Sequence, residues 1–182
     1  MCVICNRAQK LERIIMFKRI AMLLMILMCI SFVQPGITAE ARKKSYVTKA
    51  SPGNTFKSYM DYRCIRSRSS MQYKLQRKAV TNKKNGLRMI NGRYCIALGS
   101  YYTRKIGAKV DLVMSSGKVV KCITADMKAD RDTINNHRQH PDGSVAEFVV
   151  DTRMLSKKVR RMGDVSYTGP FKGSIKKIRI YK

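Results

Sequence analysis

Beyond residue 92 the chain alternates short apolar runs with polar segments that contain glycine. The runs are rich in Val and Ile, which is typical of β-strands. Glycine and polar clusters such as Ser115-Ser116-Gly117 separate them, as expected of turns. The pattern predicts strands over residues 94–98, 109–114, 118–125, 144–150 and 174–181, with a shorter extended segment over 165–167. Several short strands with little helix predict an all-β fold, a small β-barrel.

A different apolar pattern lies near the N-terminus, where residues 20–33 form an uncharged run of 14 residues. Two basic residues, Lys18 and Arg19, precede the run. A helix-breaking pair, Pro35-Gly36, follows it, and the small residues Ala39 and Ala41 come next. These are the parts of a secretory signal peptide, and the run is shorter than the roughly 20 residues that span a bilayer. We predict cleavage after Ala39 or Ala41 and a mature protein that is secreted or in the cell envelope. An uncleaved membrane anchor is the alternative.

The predicted signal peptide divides the chain into three parts. Residues 1–41 are the N-terminal extension and signal peptide, residues 42–91 a basic linker or arm, and residues 92–182 the β-barrel domain. Residues 42–58 are basic and polar, which is typical of a linker. Residues 69–80 fit either a short helix or an extended arm.

The chain is strongly basic. It contains 38 Lys and Arg against 11 Asp and Glu, a formal net charge of +27, of which +24 lies beyond residue 41. Such a chain attracts polyanions, and the candidates are nucleic acid, anionic lipid head groups and the phosphate-rich polymers of a bacterial wall. The predicted export argues against nucleic acid, and membrane contact is expected only through an uncleaved leader. The expected partner is an anionic cell-wall polymer or peptidoglycan.

Three cysteines lie beyond residue 41, namely Cys64, Cys95 and Cys122, so at most one internal disulfide can form among them. Cys95 and Cys122 lie in apolar, strand-like runs, and the favoured interpretation is that they are buried free thiols. Without a dense disulfide framework the fold must rest on an apolar core.

Four segments of the predicted barrel resemble a known family: Ala97-Leu98-Gly99, residues 106–112, Ala125-Asp126 and residues 145–149. Together they are similar to the double-psi β-barrel of the three-aspartate (3D) domain, which is related to lytic transglycosylases and to barwin- and expansin-like proteins. The resemblance covers roughly residues 92–180 and implies a six-stranded double-psi β-barrel. Two further segments resemble parts of secreted proteins of Firmicutes: residues 99–102 and 161–167.

The same resemblance implies a role for two carboxylates. Asp126 matches the second aspartate of the family, and Glu147 lies where the third belongs, with a longer side chain. The position of the first aspartate falls on Gly99, and the Pro and Thr expected near Ile106-Gly107 are replaced. The related lytic transglycosylases use a single acidic residue as acid and base, and the 6-hydroxyl of the sugar itself attacks.

The carboxylates are unevenly distributed along the chain. Six of the nine beyond residue 41 lie between Asp126 and Asp151. Glycan cleavage needs an acid that protonates the leaving oxygen, and a carboxyl beside an apolar strand can have the raised pKa that suits this role. Asp126 and Glu147 are the leading catalytic candidates, with Asp151 third. The alternative is that these carboxylates only form ion pairs with the many Lys and Arg side chains.

We expect no cofactor and no metal. His137 and His140 lie near Asp130 and Asp142, but Arg138 between the histidines opposes a cation, so a solvated loop is the favoured interpretation. The sequence contains no Walker loop, nucleophile elbow or HExxH motif.

Two classes of function remain. The first is a hydrolase or lyase that acts on the cell wall, and the second is a non-catalytic binding module for wall polymer or a partner protein. An enzyme requires Asp126 and Glu147 side by side in an open groove, whereas a binding module needs only a basic or aromatic surface.

Overall fold

The computed structural model describes Met16, Lys18 and residues 45–181. The predicted leader run over residues 20–33 and its cleavage site lie outside the described residues. The described strands are β1 (Ser45–Lys49), β2 (Tyr59–Asp61), β3 (Val80–Thr81), β4 (Arg88–Ile90), β5 (Arg93–Leu98), β6 (Lys109–Met114), β7 (Val119–Met127), β8 (Ala146–Val150) and β9 (Ile175–Tyr181). The described helices longer than one 3₁₀ turn are α1 (Met71–Lys78) and α2 (Lys157–Met162). The prediction of a mostly β fold is confirmed. Over the described part of the chain, no helix has the length and apolar character needed to cross a membrane.

Strand β5 lies at the centre of the sheet. Hydrogen-bonded neighbours follow the order β1-β9-β6-β7-β5-β4-β3, with β8 paired to β5 and β2 paired to β8. The pairings β5–β7 and β2–β8 are parallel, whereas β5–β8, β6–β7 and β6–β9 are antiparallel. This order does not return to its first strand, so the described strands form a sheet that is not closed into a barrel.

The segment between β1 and β2 lies between β9 and β8, where the sheet is not closed. The buried side chain of Asn54 accepts a hydrogen bond from Ile175 N at 2.6 Å and donates one to Ile175 O at 3.0 Å. Four residues further on, Ser58 O accepts a hydrogen bond from Phe148 N in β8 at 2.9 Å. Residues 50–58 therefore connect β9 to β8 by side-chain and backbone hydrogen bonds, without forming a strand.

Alternate residues of the central strands pack on opposite faces of the sheet. In β5, Ile96 and Leu98 belong to the main core. Cys95 points to the other face and packs beside Leu75 of α1 in a smaller group of apolar residues, called the outer cluster below. Cys95 and Cys122 are buried free thiols, as the sequence predicts. The main core contains large side chains from several elements, including Tyr102, Leu112, Phe148, Phe171 and Ile178.

Residues 45–91, which the sequence predicts as part of a linker or arm, lie in the same compact unit as the later strands. They contribute β1 to β4 and α1. Their apolar residues occur singly or in pairs among polar and basic ones, yet Met60 and Leu75 pack against the outer cluster. Lys57, in the same segment, is fully buried. Its ammonium replaces the lost water contacts with three hydrogen bonds, which it donates to Gly173 O at 2.6 Å, Thr55 O at 2.8 Å and Ser166 Oγ at 3.2 Å.

The five main predicted strands correspond to β5, β6, β7, β8 and β9 and differ from them by no more than two residues at either end. The segment predicted to be extended is instead a 3₁₀ turn, Val165–Tyr167. Asp164 initiates this turn, since its carboxylate accepts a hydrogen bond from Ser166 N at 2.7 Å. In the region that fits either helix or arm, α1 forms, and its N-cap Ser70 accepts from Tyr73 N at 3.1 Å.

Candidate active site

A cavity of about 410 Å³ opens where β5, β7 and β8 lie side by side. Ala97 in β5 pairs with Asp126 of β7 on one side and with Glu147 of β8 on the other. Residues paired across neighbouring strands share a face of the sheet, and both carboxylates line the cavity. Since adjacent strands are about 4.8 Å apart, the two backbones lie roughly 10 Å from each other. The structure therefore brings Asp126 and Glu147 together in one open groove.

A β-bulge in β7 turns Asp126 toward this cavity. Thr124 pairs with Ile96 and Asp126 pairs with Ala97, so Ala125 is an extra residue in β7. With regular alternation Asp126 would face the main core, as Thr124 does. Bulges often re-aim a side chain in this way beside active sites.

The environment of Asp126 favours its protonated form. Partial burial raises the pKa of the Asp126 carboxyl, and the hydrogen bonds that it accepts oppose this shift. Those bonds come from Met127 N at 2.8 Å and from Gln72 Nε2 of α1 at 3.5 Å. Among residues 45–181 no basic side chain forms an ion pair with this carboxyl. Asp126 therefore retains its proton to a higher pH than an exposed aspartate.

Lys128 supplies a buried cation beside the second carboxylate. Its ammonium donates to Ser144 Oγ at 3.1 Å and lies 3.8 Å from Glu147 Oε2. Burial lowers the pKa of Lys128, and the carboxylates of Glu147 and Asp142 oppose that shift. The cavity thus contains a carboxyl with a raised pKa, a second carboxyl and a buried lysine within one small volume.

The rim of the cavity comes from the polar loop between β7 and β8. His140 Nδ1 lies 3.1 Å from Asp142 Oδ2, and Asp142 Oδ1 accepts a hydrogen bond from Ser144 N at 2.7 Å. His140 and Asp142 both line the cavity. The solvated loop expected around the histidines therefore forms part of the candidate site. Within residues 45–181, no group of three or more His, Cys, Asp and Glu side chains is placed to hold a metal ion.

Gly99 is the point where this loop contacts β5. A Cβ atom added at Gly99 would lie 1.9 Å from His137 O and 2.9 Å from His137 C, well inside van der Waals contact. Glycine is therefore the only residue that fits at position 99, which the resemblance described above aligns with an aspartate. An aspartate would displace the loop that carries His140 and Asp142.

Asp151, the third catalytic candidate, lies outside the cavity. It is buried, and its carboxylate accepts hydrogen bonds from Arg153 Nε at 3.0 Å and Arg153 Nη2 at 2.9 Å. The hydrogen bonds from Arg153 lower the pKa of Asp151, with a smaller contribution from Arg63. Asp151 also caps the 3₁₀ turn Thr152–Met154. Its surroundings fit a structural ion pair and not an acid catalyst.

Two members of the site are absent from the sequence-based prediction. Lys128 is one of many lysines, and no sequence signal separates it from those on the surface. Gln72 lies on α1, far from Asp126 in the chain, so only the tertiary fold brings them together.

Comparisons with known proteins return nothing for this chain. No family model, no curated protein and no solved structure matches it. Chemically, the cavity combines a partly buried acid, an ion-paired carboxylate and a cation, and this set can donate a proton and stabilise a developing charge.

Proposed function

We propose that this protein is exported and cleaves glycan strands of the cell wall, as a peptidoglycan lytic transglycosylase or related glycosidase. The observation that carries the proposal is Asp126, a partly buried carboxyl with a raised pKa that opens on a cavity shared with Glu147. A carboxyl that keeps its proton is suited to protonate the oxygen that leaves when a glycosidic bond breaks.

In this proposal Asp126 acts first as acid and then as base. Its proton passes to the glycosidic oxygen as the bond from that oxygen to the anomeric carbon breaks. The 6-hydroxyl of the same sugar then forms a new bond to the anomeric carbon and returns its proton to Asp126. The cycle consumes no water, leaves Asp126 protonated and produces an anhydro-sugar end.

Glu147 and Lys128 are proposed to support this step. The transition state of glycan cleavage carries positive charge on the sugar ring, which a nearby carboxylate stabilises. Glu147 offers such a carboxylate on the same face as Asp126, and Lys128, 3.8 Å away, holds it in position.

We further propose that the sheet is an opened variant of the double-psi β-barrel. The parallel pairings β5–β7 and β2–β8 support this topology, as do the hydrogen bonds of residues 50–58 across the open side. Export through residues 20–33 and binding to an anionic wall polymer complete the proposal. The charge of +24 beyond residue 41 supports the choice of partner.

The alternative function is a non-catalytic module that binds wall polymer or a partner protein. The ion pair between Glu147 and Lys128 favours it, because a carboxylate near a basic side chain in so basic a chain needs no catalytic role. The two functions differ in what they require of Asp126, since only the enzyme depends on its proton.

Incubation of purified sacculi with the full chain tests the proposal. The wild type should release soluble muropeptides with anhydro-sugar ends. Asp126→Asn should reduce the rate about 10²–10⁴-fold, the usual contribution of general acid–base catalysis. Asp130→Asn is the matched control, because Asp130 is a half-exposed carboxylate that does not line the cavity, so its loss should change the rate far less than the loss of Asp126. Wall binding by the wild type without any release of muropeptides would favour the binding module.

A further inference from the structure

A second cavity, of about 530 Å³, lies between the 3₁₀ turn Tyr62–Cys64 and α1. Its wall is unusually basic, and no acidic residue of the described chain lines it. Two tyrosines, Tyr62 and Tyr73, contribute aromatic rings. The cationic side chains that line the cavity are all arginines: Arg63, Arg66, Arg68, Arg77 and Arg88.

Arg88 is the deepest of these cations, with only 9% of its surface exposed. Its guanidinium donates to neutral oxygens only: Gln76 O and Ala79 O at 2.8 Å, Thr81 Oγ1 at 2.9 Å and Gln76 Oε1 at 3.3 Å. Among the residues that the structure describes, it has no ion pair. A buried charge normally has a charged partner, so Arg88 leaves an unbalanced positive charge at the base of the cavity.

The other arginines divide into one that is neutralised and three that are not. Arg63 donates to both oxygens of Asp61, at 2.6 Å and 2.7 Å, and this pair balances its charge. Arg66, Arg68 and Arg77 are exposed and form no ion pair within residues 45–181. Together with Arg88 they present four uncompensated guanidinium groups to one cavity.

The ring of Tyr62 fixes part of this array. The guanidinium carbon of Arg88 lies 4.3 Å from the centre of the Tyr62 ring, and that of Arg63 lies 5.8 Å from it. Such cation–π contacts hold a guanidinium in place without neutralising it. They also occupy the ring, which makes it a poor platform for stacking a nucleobase, the usual role of aromatic residues in sites for single-stranded nucleic acid.

We propose that this cavity binds a phosphodiester chain of the polyol-phosphate type. Guanidinium groups match phosphate oxygens with paired, charge-assisted hydrogen bonds. Each phosphodiester carries one negative charge, so several phosphates in sequence are needed to balance the four arginines. A flexible chain without bases satisfies this need and requires no stacking surface. The inference rests on the proposed wall location for the source of the chain, but it is independent of glycan cleavage at Asp126.

The test is calorimetric titration of the full chain with short poly(glycerol phosphate) at fixed ionic strength. The variant Arg66→Gln/Arg68→Gln/Arg77→Gln removes three exposed rim charges and leaves Arg88 and its helix contacts intact. Its affinity should fall at least about tenfold, because charge-assisted bonds to phosphate are lost. The control Lys84→Gln/Lys118→Gln/Lys157→Gln removes the same charge from exposed lysines outside the cavity and should change affinity much less.

Three results would overturn the proposal. One is an equal loss of affinity in both triple variants, which would mean that only the total charge matters. Another is the absence of any binding by the wild type. The third is tighter binding of a single-stranded oligonucleotide with the same number of phosphates, lost in the arginine variant, which would assign the cavity to nucleic acid. None of these results depends on muropeptide release, so they are distinct from a failure of the proposed enzyme.

Discussion

Asp126 is held in an environment that disfavours its charged form, and this has a consequence for stability. Its pKa is raised by burial in the folded chain, whereas in the unfolded chain it titrates near the ordinary value of about 3.9. The unfolded chain therefore loses this proton first as the pH rises, so the folded state loses stability between about pH 4 and the raised pKa. Above the raised pKa this loss of folding stability stays constant.

We therefore expect Asp126→Asn to be at least as stable as the wild type at pH 7, since asparagine cannot ionise. The difference should shrink toward zero as the pH falls below about 4, where Asp126 is protonated in both states. Urea denaturation at several pH values measures this difference. A variant that is less stable than the wild type at pH 7, with a smaller loss at pH 4, would show that the charged form is favoured in the folded protein.

Asp151 affects the pH dependence of stability in the opposite direction to Asp126. Its pKa is lowered, first by the hydrogen bonds from Arg153. Its contribution is therefore present above about pH 4 and is lost as the pH falls through the lowered pKa. Asp151→Ala should reduce the free energy of unfolding by about 1–3 kcal/mol at neutral pH, the usual effect of removing a charged hydrogen-bond partner. Its muropeptide release per folded molecule should not change, and a loss of release comparable to that of Asp126→Asn would return Asp151 to the catalytic group.

At the scale of elements, the strands that carry the site were predictable and their surroundings were not. The apolar runs of β5, β7 and β8 are visible in the sequence, and the scarcity of carboxylates together with the family resemblance indicates Asp126 and Glu147. The bulge at Ala125 is not visible, because it is defined by the pairing with β5. The strands within residues 45–91 were missed, and the helix was only one of two alternatives, because the apolar residues there stand singly or in pairs among polar and basic ones and are buried only by long-range contacts.

The contact between Gly99 and the β7–β8 loop leads to a prediction at this scale. Gly99→Ala should destabilise the protein by about 1–3 kcal/mol, the cost of overpacking, and should displace the rim of the cavity. Hydrogen exchange of residues 130–143 should accelerate and muropeptide release should fall. Gly117→Ala is the control, because its added Cβ meets no atom within 4 Å and only backbone strain is expected. Unchanged exchange in the loop of Gly99→Ala would contradict this account of the rim.

At the scale of the whole molecule, positive charge dominates. With +24 beyond residue 41, adsorption to walls that contain phosphate polymers should depend steeply on salt. The screening length falls from about 8 Å at physiological ionic strength to about 3 Å at 1 M. Sedimentation with purified walls at increasing NaCl measures the bound fraction. Binding that is unchanged between low and high salt would show that attraction between charges is not its cause.

The central claim is that Asp126 acts as the acid in cleavage of wall glycan, and the pH dependence of muropeptide release tests it most directly. The rate for the wild type should fall as the pH rises through the pKa of Asp126, which lies above the ordinary value of about 3.9. The Asp126→Asn variant, once circular dichroism shows that it is folded, should release almost no muropeptides, and its rate should not show this fall with pH. Release by Asp126→Asn at the wild-type rate, with the same pH profile, would contradict the claim.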